Sequence, residues 1–302
     1  MGNDCYYCVI MTDNSEIKGA AAELLAAFDY NISSWKDEES QIVKHTIYFT
    51  SDEEGRAGLE FLKQESSKWK EFGIDLSDFQ YTIIQKEDWA ESWKLHFKTM
   101  VLSPRLVIKP SWEKYTPLPG QQVIILDPGM SFGTGQHATT KSCLLAIDEF
   151  TCEARAQGRT LSFLDAGSGS GILSIAAVKL GCSPVRAFDI DPDTIQIARE
   201  NARTNGIRDE ELDLQTSSLE DYDNKDFLFD LIAANILSSA LISGRRKLLS
   251  MVKPGGKLIL AGILATEYEQ VKDSFEELGC KEIKSVQEKE WRGGSFLVPR
   301  KN

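Results

Sequence analysis

The chain has 302 residues, of which 42% are hydrophobic, and its formal net charge is −12. A chain of this length can bury one large core or two modest ones. No apolar run approaches the roughly 18 residues of a membrane span, and the N-terminus lacks the basic and apolar segments of a signal sequence. We therefore expect a soluble cytoplasmic protein that makes no contact with a membrane.

Cysteine and histidine usage argues against a metal centre. Six cysteines without regular spacing are typical of a reducing compartment. Cys5 and Cys8 form a C-x-x-C pair, but no second pair or nearby histidine completes a metal site. We predict no metal and expect both residues to be half-buried on an N-terminal strand, with a redox role as the alternative.

Acidic residues are concentrated near the N-terminus. Residues 1–100 carry 19 Asp and Glu against 10 Lys and Arg. Nucleic-acid binding depends on cations that neutralise phosphates, so this charge argues against a direct nucleic-acid partner. The charge would attract a basic protein partner. A merely solvated acidic surface explains the same charge equally well.

The pattern of residues 1–85 predicts a small domain of mixed α and β structure. Strands are expected at 6–11, 42–50 and 79–84, and helices at 17–28 and 57–72. This alternation indicates a ferredoxin-like α+β sandwich, in which residues 30–41 could contain one further strand.

Residues 86–120 are predicted to form a helical linker and the join between two domains. Trp89, Trp93 and Phe97 make an aromatic stripe at helical spacing, which is typical of a packing face. The prolines that interrupt the rest of this segment are Pro104, Pro110, Pro117 and Pro119.

Residues 121–302 show a regular alternation of strands and helices. Strands are expected at 122–126, 161–165, 185–189, 211–215, 229–235, 257–262, 282–287 and 295–298. Such alternation predicts a mostly parallel sheet with right-handed crossovers. The last two strands flank Arg292-Gly-Gly294, so we expect an antiparallel hairpin to complete the sheet.

A glycine-rich turn follows the second of these strands. Residues 161–165 lead into Gly167, Gly169 and Gly171, and a helical pattern begins at Ile172. Such turns bring the backbone and a helix N-terminus close to a nucleotide-like ligand. Dinucleotide-binding turns instead read G-x-G-x-x-G, and Ile172 occupies the place of that third glycine.

An acidic residue is expected to hold the sugar of that ligand. Asp189 ends the next strand, 22 residues after Gly167, where an acid can meet a ribose diol. Asp191 is the competitor, but it immediately precedes Pro192, a pattern that favours a helix cap. We assign Asp189 to the ribose and Asp191 to the cap.

Two further segments carry polar residues suited to chemistry. In residues 127–140 we expect Thr139 or Thr140 to cap the following helix, and the segment could close over a cofactor as a lid. Asn235 stands at the carboxyl end of the strand 229–235, where ligands of open α/β sheets bind. It could orient an attacking nitrogen, or it could simply satisfy neighbouring backbone groups.

Several of these segments resemble the PrmA family of bacterial methyltransferases that act on large-subunit ribosomal protein eleven. The segments are 87–93, 107–112, 127–137, 165–173, 189–192 and 234–237. The resemblance implies a class I methyltransferase fold, Rossmann-like with a seven-stranded and mostly parallel sheet, preceded by a substrate-recognition domain. The sequence departs from the family pattern around His137 and in the glycine turn. Its N-terminal domain matches the family by pattern more than by residue.

The resemblance also implies a cofactor, a reaction and site residues. S-adenosylmethionine would be bound by Thr140, Gly167, Gly169, Asp189 and Asn235, with Phe132 near the transferred methyl group and Asn235 orienting the amine. The implied substrate is a lysine side chain or the N-terminal amine of a basic ribosomal protein. Separately from the resemblance, we expect a monomer. The alternatives are another protein lysine, a small molecule or RNA as acceptor, and a nicotinamide-dependent dehydrogenase.

Overall fold

A computed structural model describes residues 5–15, 19–28, 30–36, 42–85, 97–127 and 137–300. The chain divides into two compact units, Met1–His96 and Phe97–Asn302. Within the described residues, no helix is long and apolar enough to cross a membrane.

The first unit is an antiparallel sheet with helices in the order expected for a ferredoxin-like domain. Its strands are β1 (Cys5–Asp13), β2 (Asn31–Lys36), β3 (Val43–Phe49) and β4 (Leu76–Gln85), and its helices are α1 (Ala20–Ala27) and α2 (Asp52–Trp69), with a 3-10 turn at Lys70–Phe72. The strand order β2-β3-β1-β4 confirms the predicted sandwich. The segment 30–41, which the sequence left open, contains β2.

The core of this unit lies on the helical side of the sheet. Val9 and Met11 of β1 and Ile47 of β3 are fully buried, which follows from the two-residue alternation of strand side chains. Cys5 is half-buried and Cys8 is buried, and both thiols are free. Their position on β1 agrees with a structural role for the C-x-x-C pair.

The second unit begins with a small three-stranded sheet. Its strands are β5 (Met100–Val101), β6 (Leu106–Lys109) and β7 (Gln122–Ile125), and the central β6 pairs antiparallel with β5 and in parallel with β7. The strand predicted at 122–126 therefore exists but lies outside the main sheet. Its pairing with β6 also crosses the boundary that the sequence analysis places between residues 120 and 121.

The main sheet has seven strands and carries helices on both faces. Its strands are β8 (Phe163–Ala166), β9 (Val185–Asp189), β10 (Leu212–Thr216), β11 (Phe229–Asn235), β12 (Val252–Leu264), β13 (Lys281–Glu288) and β14 (Trp291–Leu297). The helices are α3 (Ala138–Ala156), α4 (Ile172–Lys179), α5 (Pro192–Thr204), α6 (Ser238–Ser250) and α7 (Tyr268–Glu276). Side chains of α3, α4 and α5 belong to one core cluster, and those of α6 and α7 belong to another.

The strand order of this sheet is β10-β9-β8-β11-β12-β14-β13. Strands β8 to β12 pair in parallel, and β14 pairs antiparallel with both β12 and β13. This confirms the expected parallel sheet that ends in a hairpin.

The hairpin turn does not lie at Arg292-Gly-Gly294, the position predicted from the sequence. The turn lies at residues 289–290, with Lys289 at φ 55°, and Arg292 to Gly294 belong to β14. Gly294 occurs within the strand because a Cβ there would lie 1.9 Å from the Tyr268 hydroxyl oxygen, so only glycine leaves room for that buried ring.

Candidate active site

The order in which the chain adds parallel strands to the sheet reverses between β8 and β11. The chain runs outward from β8 through β9 to β10 and then returns to place β11 on the other side of β8. Such a switch point opens a crevice at the carboxyl ends of the strands, where ligands of open α/β sheets bind. Gly167 follows β8 and Asn235 ends β11, so these two residues flank the crevice.

Strand register aligns three predicted site residues in one row. Ala166 of β8 lies across from Phe188 of β9 on one side and from Ala234 of β11 on the other. One residue further along each strand stand Gly167, Asp189 and Asn235. The topology therefore places the glycine turn between the carboxylate and the amide.

The glycine turn depends on backbone angles that favour glycine. Gly167, Gly169 and Gly171 have φ values of +81°, +51° and +78°, the left-handed region in which a Cβ is strained. A Cβ on Gly167 would lie 2.4 Å from Ile236 Cγ2, and one on Gly171 would lie 2.9 Å from Ala198 Cβ. Without a Cβ, Gly167 lies close to Ile236 at the end of β11, and Gly171 lets α4 pack against Ala198 of α5.

Asp189 is tied to this turn. Its Oδ2 accepts a hydrogen bond from the Gly169 backbone N–H at 2.9 Å, and its Oδ1 accepts one from the Asp191 N–H at 3.2 Å. A carboxylate has about four acceptor positions. Asp189 therefore keeps acceptor capacity for hydroxyl groups of a ligand while it fixes the turn.

Asp191 caps α5. Its side chain accepts hydrogen bonds from the Asp193 N–H at 2.9 Å and from the Thr194 hydroxyl at 3.2 Å. Pro192 occupies the first helical position. Proline is favoured there because an N–H at that position would have no partner within the helix. The predicted capping role of Asp191 is confirmed.

Asn235 contacts Thr140 at the start of α3. Its Nδ2 donates to Thr140 Oγ1 over a long 3.4 Å, and the Thr140 side chain is 1% exposed. Asn235 Oδ1 is buried and has no hydrogen-bond partner within the described part of the chain. A buried acceptor without a partner costs roughly 1–3 kcal/mol, which a bound donor would relieve.

His137, and neither of the two threonines, caps α3. The His137 side chain accepts from the Thr139 N–H, and its Nδ1 lies 2.7 Å from Thr139 Oγ1. The prediction of a Thr139 or Thr140 cap is therefore wrong, because both threonines lie inside the first turn with buried side chains. Trp291 of β14 packs edge-on against the His137 ring, with centroids 4.9 Å apart.

Asp127 braces a loop. Its Oδ1 accepts from the Ser111 N–H at 2.6 Å. Phe132 belongs to residues 128–136 and lies outside the described residues, as do Trp89 and Trp93. The hypotheses of a lid, of an aromatic group near the methyl and of a helical linker at these positions stay predictions.

Asp165 is the most perturbed acid near the crevice. It is fully buried at the end of β8, and its Oδ2 accepts from the Ser174 N–H at 3.1 Å and the Ser174 hydroxyl at 2.6 Å. Loss of hydration raises the pKa of this carboxyl to about 7, against the opposing effect of the two Ser174 hydrogen bonds. These bonds attach the first turn of α4 to β8.

The structure also identifies residues near the crevice that sequence reasoning missed. Ser168 Oγ is buried without a partner in the described residues, as is Asn235 Oδ1. Ile236 covers Gly167. Trp291 was missed because its contact with His137 joins positions far apart in sequence, which no local pattern reveals. Among the described residues, no group of three or more His, Cys, Asp or Glu could hold a metal ion.

Comparison with known proteins identifies relatives of the whole chain. The family model for "Ribosomal protein L11 methyltransferase (PrmA)" matches residues 10–296, which extend over both units. The ribosomal protein L11 methyltransferase of Geotalea daltonii is 38% identical over 293 residues, 93% of this chain and 90% of that protein. The one from Citrifermentans bemidjiense is 43% identical over 218 residues, 72% of this chain and 69% of that protein.

A solved structure shares the fold. The crystal structure of ribosomal protein L11 methylase from Lactobacillus delbrueckii subsp. bulgaricus superposes with a TM-score of 0.59 at 35% identity. The superposed region covers 68% of this chain and 100% of the Lactobacillus chain. The similarity confirms the fold class expected from the sequence.

Proposed function

The chain belongs to the ribosomal protein L11 methyltransferase (PrmA) family, and we infer that it transfers methyl groups from S-adenosylmethionine to amino groups of ribosomal protein L11. The family match over residues 10–296 carries this conclusion. It decides against the nicotinamide-dependent dehydrogenase that the glycine turn alone left open. The acceptor amines are lysine side chains, the N-terminal amine or both.

The residues around the crevice have the chemistry that S-adenosylmethionine requires. Asp189 offers acceptor positions suited to the ribose hydroxyls, and Gly167 and Gly169 leave room for a ligand beside the backbone. Asn235 Oδ1 and Ser168 Oγ are buried and have no hydrogen-bond partner among the described residues, so a ligand with donor groups would satisfy them. We assign cofactor binding to Thr140, Gly167, Gly169, Asp189 and Asn235.

S-adenosylmethionine supplies a methyl group already activated on a sulfonium. The protein must therefore align an amine for in-line attack. A lysine amine with a pKa of about 10.4 is neutral in only about one molecule in 2,500 at pH 7, a cost of roughly 4.6 kcal/mol. Loss of hydration at the crevice lowers this cost because it disfavours the ammonium form.

We assign orientation of the amine to Asn235. Its Nδ2 is directed to Thr140, which leaves Oδ1 as the free acceptor for an amine N–H. An amide does not remove the proton, so the proton leaves to solvent or to a group of the substrate. His137 and Asp127 could serve as a base, but their side chains are already used in a helix cap and a loop contact. Phe132 stays a proposed neighbour of the transferred methyl group.

The first unit is proposed to recognise the substrate. The 19 acidic and 10 basic residues among residues 1–100 give this part of the chain a charge opposite to that of a basic ribosomal protein. The same charge disfavours direct binding of nucleic acid. We further propose that the enzyme acts as a monomer in the cytoplasm.

The reaction is tested with methyl-labelled S-adenosylmethionine and purified ribosomal protein L11. We expect label in L11 and none in a basic control protein of similar charge, and intact mass then gives the number of methyl groups. Binding of the cofactor is measured separately by calorimetry on the full chain. Equal labelling of the control protein, or cofactor binding without any labelling of L11, would overturn the proposed substrate.

A further inference from the structure

A second cavity lies at the opposite edge of the main sheet from the crevice. It has a volume of about 310 Å³ and is lined by residues of α3, β11 and β12 and by the segment preceding β8. Asp230 of its lining and Asn235 of the crevice stand five residues apart on β11. At about 3.3 Å per residue they are separated by roughly 16 Å, so the two sites are distinct.

The cavity is lined by four cations in a chain with a net charge of −12: Arg159, Lys253, Lys257 and Arg300. The two lysines are neutralised by carboxylates. Lys253 Nζ lies 2.8 Å from Asp230 Oδ2, and Lys257 Nζ lies 2.8 Å from Glu153 Oε2. Asp230 Oδ2 also accepts from the Ser162 N–H and hydroxyl, so this oxygen is fully used.

The two arginines keep their charge. Arg159 donates from Nε and Nη2 to Gln157 Oε1 at 3.1 and 2.7 Å, but an amide oxygen is neutral. Arg300 has no ion pair within the described ranges. Two guanidinium groups therefore border the cavity, and no carboxylate among the described residues forms an ion pair with either of them.

The position of Arg300 is built into the fold. Gly255 has a φ of +78°, and a Cβ there would lie 3.2 Å from Arg300 Nε. The Gly255 N–H donates to Val298 O at 3.1 Å, and the Val298 N–H donates to Gly256 O at 2.9 Å. These bonds hold the segment after β14 against Gly255 and Gly256 of β12. The Arg300 guanidinium therefore lies along the glycine backbone at the cavity.

We propose that this cavity binds a small phosphomonoester, with Arg159 and Arg300 contacting its phosphate oxygens. Guanidinium groups match the geometry of phosphate oxygens, and two of them balance a dianion. Half-buried Leu161 supplies an apolar contact for the organic part. Leu231 is fully buried, and the Phe150 ring is covered by Lys257 Nζ, 3.8 Å from its centroid. The volume is at the lower end of the range for small-molecule sites.

The test uses the full chain, with glycerol 3-phosphate and inorganic phosphate as probes at constant ionic strength. Phosphorus-31 NMR or calorimetry measures the affinity of the unchanged protein and of the Arg159→Gln, Arg300→Gln double variant. We expect the double variant to lose at least about tenfold in affinity for both probes. The matched control is Arg203→Gln with Arg208→Gln, because those arginines are exposed and pair with Asp209 and Glu211 elsewhere.

Three results would overturn the proposal. The first is no binding of either probe tighter than about 10 mM, and the second is equal affinity in the double variant. The third is equally tight binding of dimethyl phosphate, a monoanionic diester, which would point to general attraction of anions. Binding of S-adenosylmethionine by the double variant shows that it is folded and keeps this test separate from that of the methyltransferase reaction.

Discussion

The carboxylate of Asp189 accepts a hydrogen bond from the backbone N–H of Gly169, with Oδ2 and N 2.9 Å apart. Strand β9 is thereby connected to the turn that follows β8. One side chain consequently fixes the shape of the turn and also presents acceptor positions at the crevice. Replacing Asp189 therefore affects the binding surface in two ways, through the ligand contact and through the turn.

Asp189→Ala should weaken S-adenosylmethionine binding by about 10- to 100-fold, the range expected when a hydrogen bond to a charged group, worth about 1.5–3 kcal/mol, is lost. Calorimetric titration of the full chain measures the change. Undiminished affinity would refute the ribose assignment.

Asp191→Ala is the matched control, because it removes a carboxylate two residues away whose hydrogen bonds, within the described residues, all cap α5. Loss of an N-cap should lower the free energy of unfolding by about 1 kcal/mol. Its cofactor affinity should stay within about twofold of the unchanged protein. A fall in affinity as large as that of Asp189→Ala would mean that the helix start, rather than the Asp189 contact, controls binding.

Asn235→Ala should keep most of its cofactor affinity, because Thr140, Gly167, Gly169 and Asp189 remain to bind the cofactor, and should lose most turnover. The buried Oδ1 is the acceptor proposed to orient the amine, and loss of one positioned polar group typically lowers kcat by about 10²- to 10³-fold. Initial rates of L11 methylation at saturating cofactor measure the effect. Unchanged turnover would remove Asn235 from the mechanism.

Thr140→Val separates the orientation of Asn235 from its chemistry. The variant keeps the side-chain shape but removes the hydroxyl that accepts from Asn235 Nδ2. Because that bond is long, we expect the loss of kcat to be at least about tenfold smaller than the loss in Asn235→Ala. An equal loss in both variants would mean that Thr140 itself carries the effect.

Gly167→Ala should abolish measurable cofactor binding by distorting the turn. The new Cβ would be strained at φ +81° and would meet Ile236 Cγ2 at 2.4 Å. Adding Ile236→Ala relieves the clash but leaves the backbone strain of about 1–2 kcal/mol. The double variant should therefore recover only part of the affinity, as measured by calorimetry; no recovery at all would contradict a steric role for Ile236.

The sequence predicted those features that depend on local pattern. Alternating apolar residues and the Asp191-Pro192 start located β9 and α5, and the glycine spacing located the turn after β8. The row formed by Gly167, Asp189 and Asn235 followed from a general rule, since the carboxyl ends of parallel strands meet at one edge of a sheet.

Features that depend on long-range packing were not predicted. The cap of α3 was assigned to threonine by propensity, whereas His137 takes that position beside Trp291 of a distant strand. Gly293 and Gly294 resemble a turn, but Gly294 lies inside β14 because the buried Tyr268 hydroxyl needs the space. Tertiary contacts override local preference at both positions.

The buried Asp165 carboxyl predicts an unusual dependence of stability on pH. Burial raises its folded-state pKa to about 7, whereas the unfolded value is about 3.9. Between these values the folded state binds more protons than the unfolded state, so this residue's contribution is fully present at low pH and is lost as pH rises to about 7. The slope is at most about 1.4 kcal/mol per pH unit, and it vanishes above the folded pKa.

Asp165→Asn should remove this slope, because the amide is uncharged at every pH and its oxygen can still accept from Ser174. Urea unfolding of both proteins at pH 5, 6, 7 and 8 gives the difference in their free energies of unfolding, in which other titrating groups cancel. We expect the variant to gain stability relative to the unchanged protein between pH 5 and 7 and to gain little more at pH 8. Parallel pH profiles would show that Asp165 has the same proton affinity in both states, which is incompatible with a fully buried carboxyl whose hydrogen bonds, within the described residues, all come from Ser174.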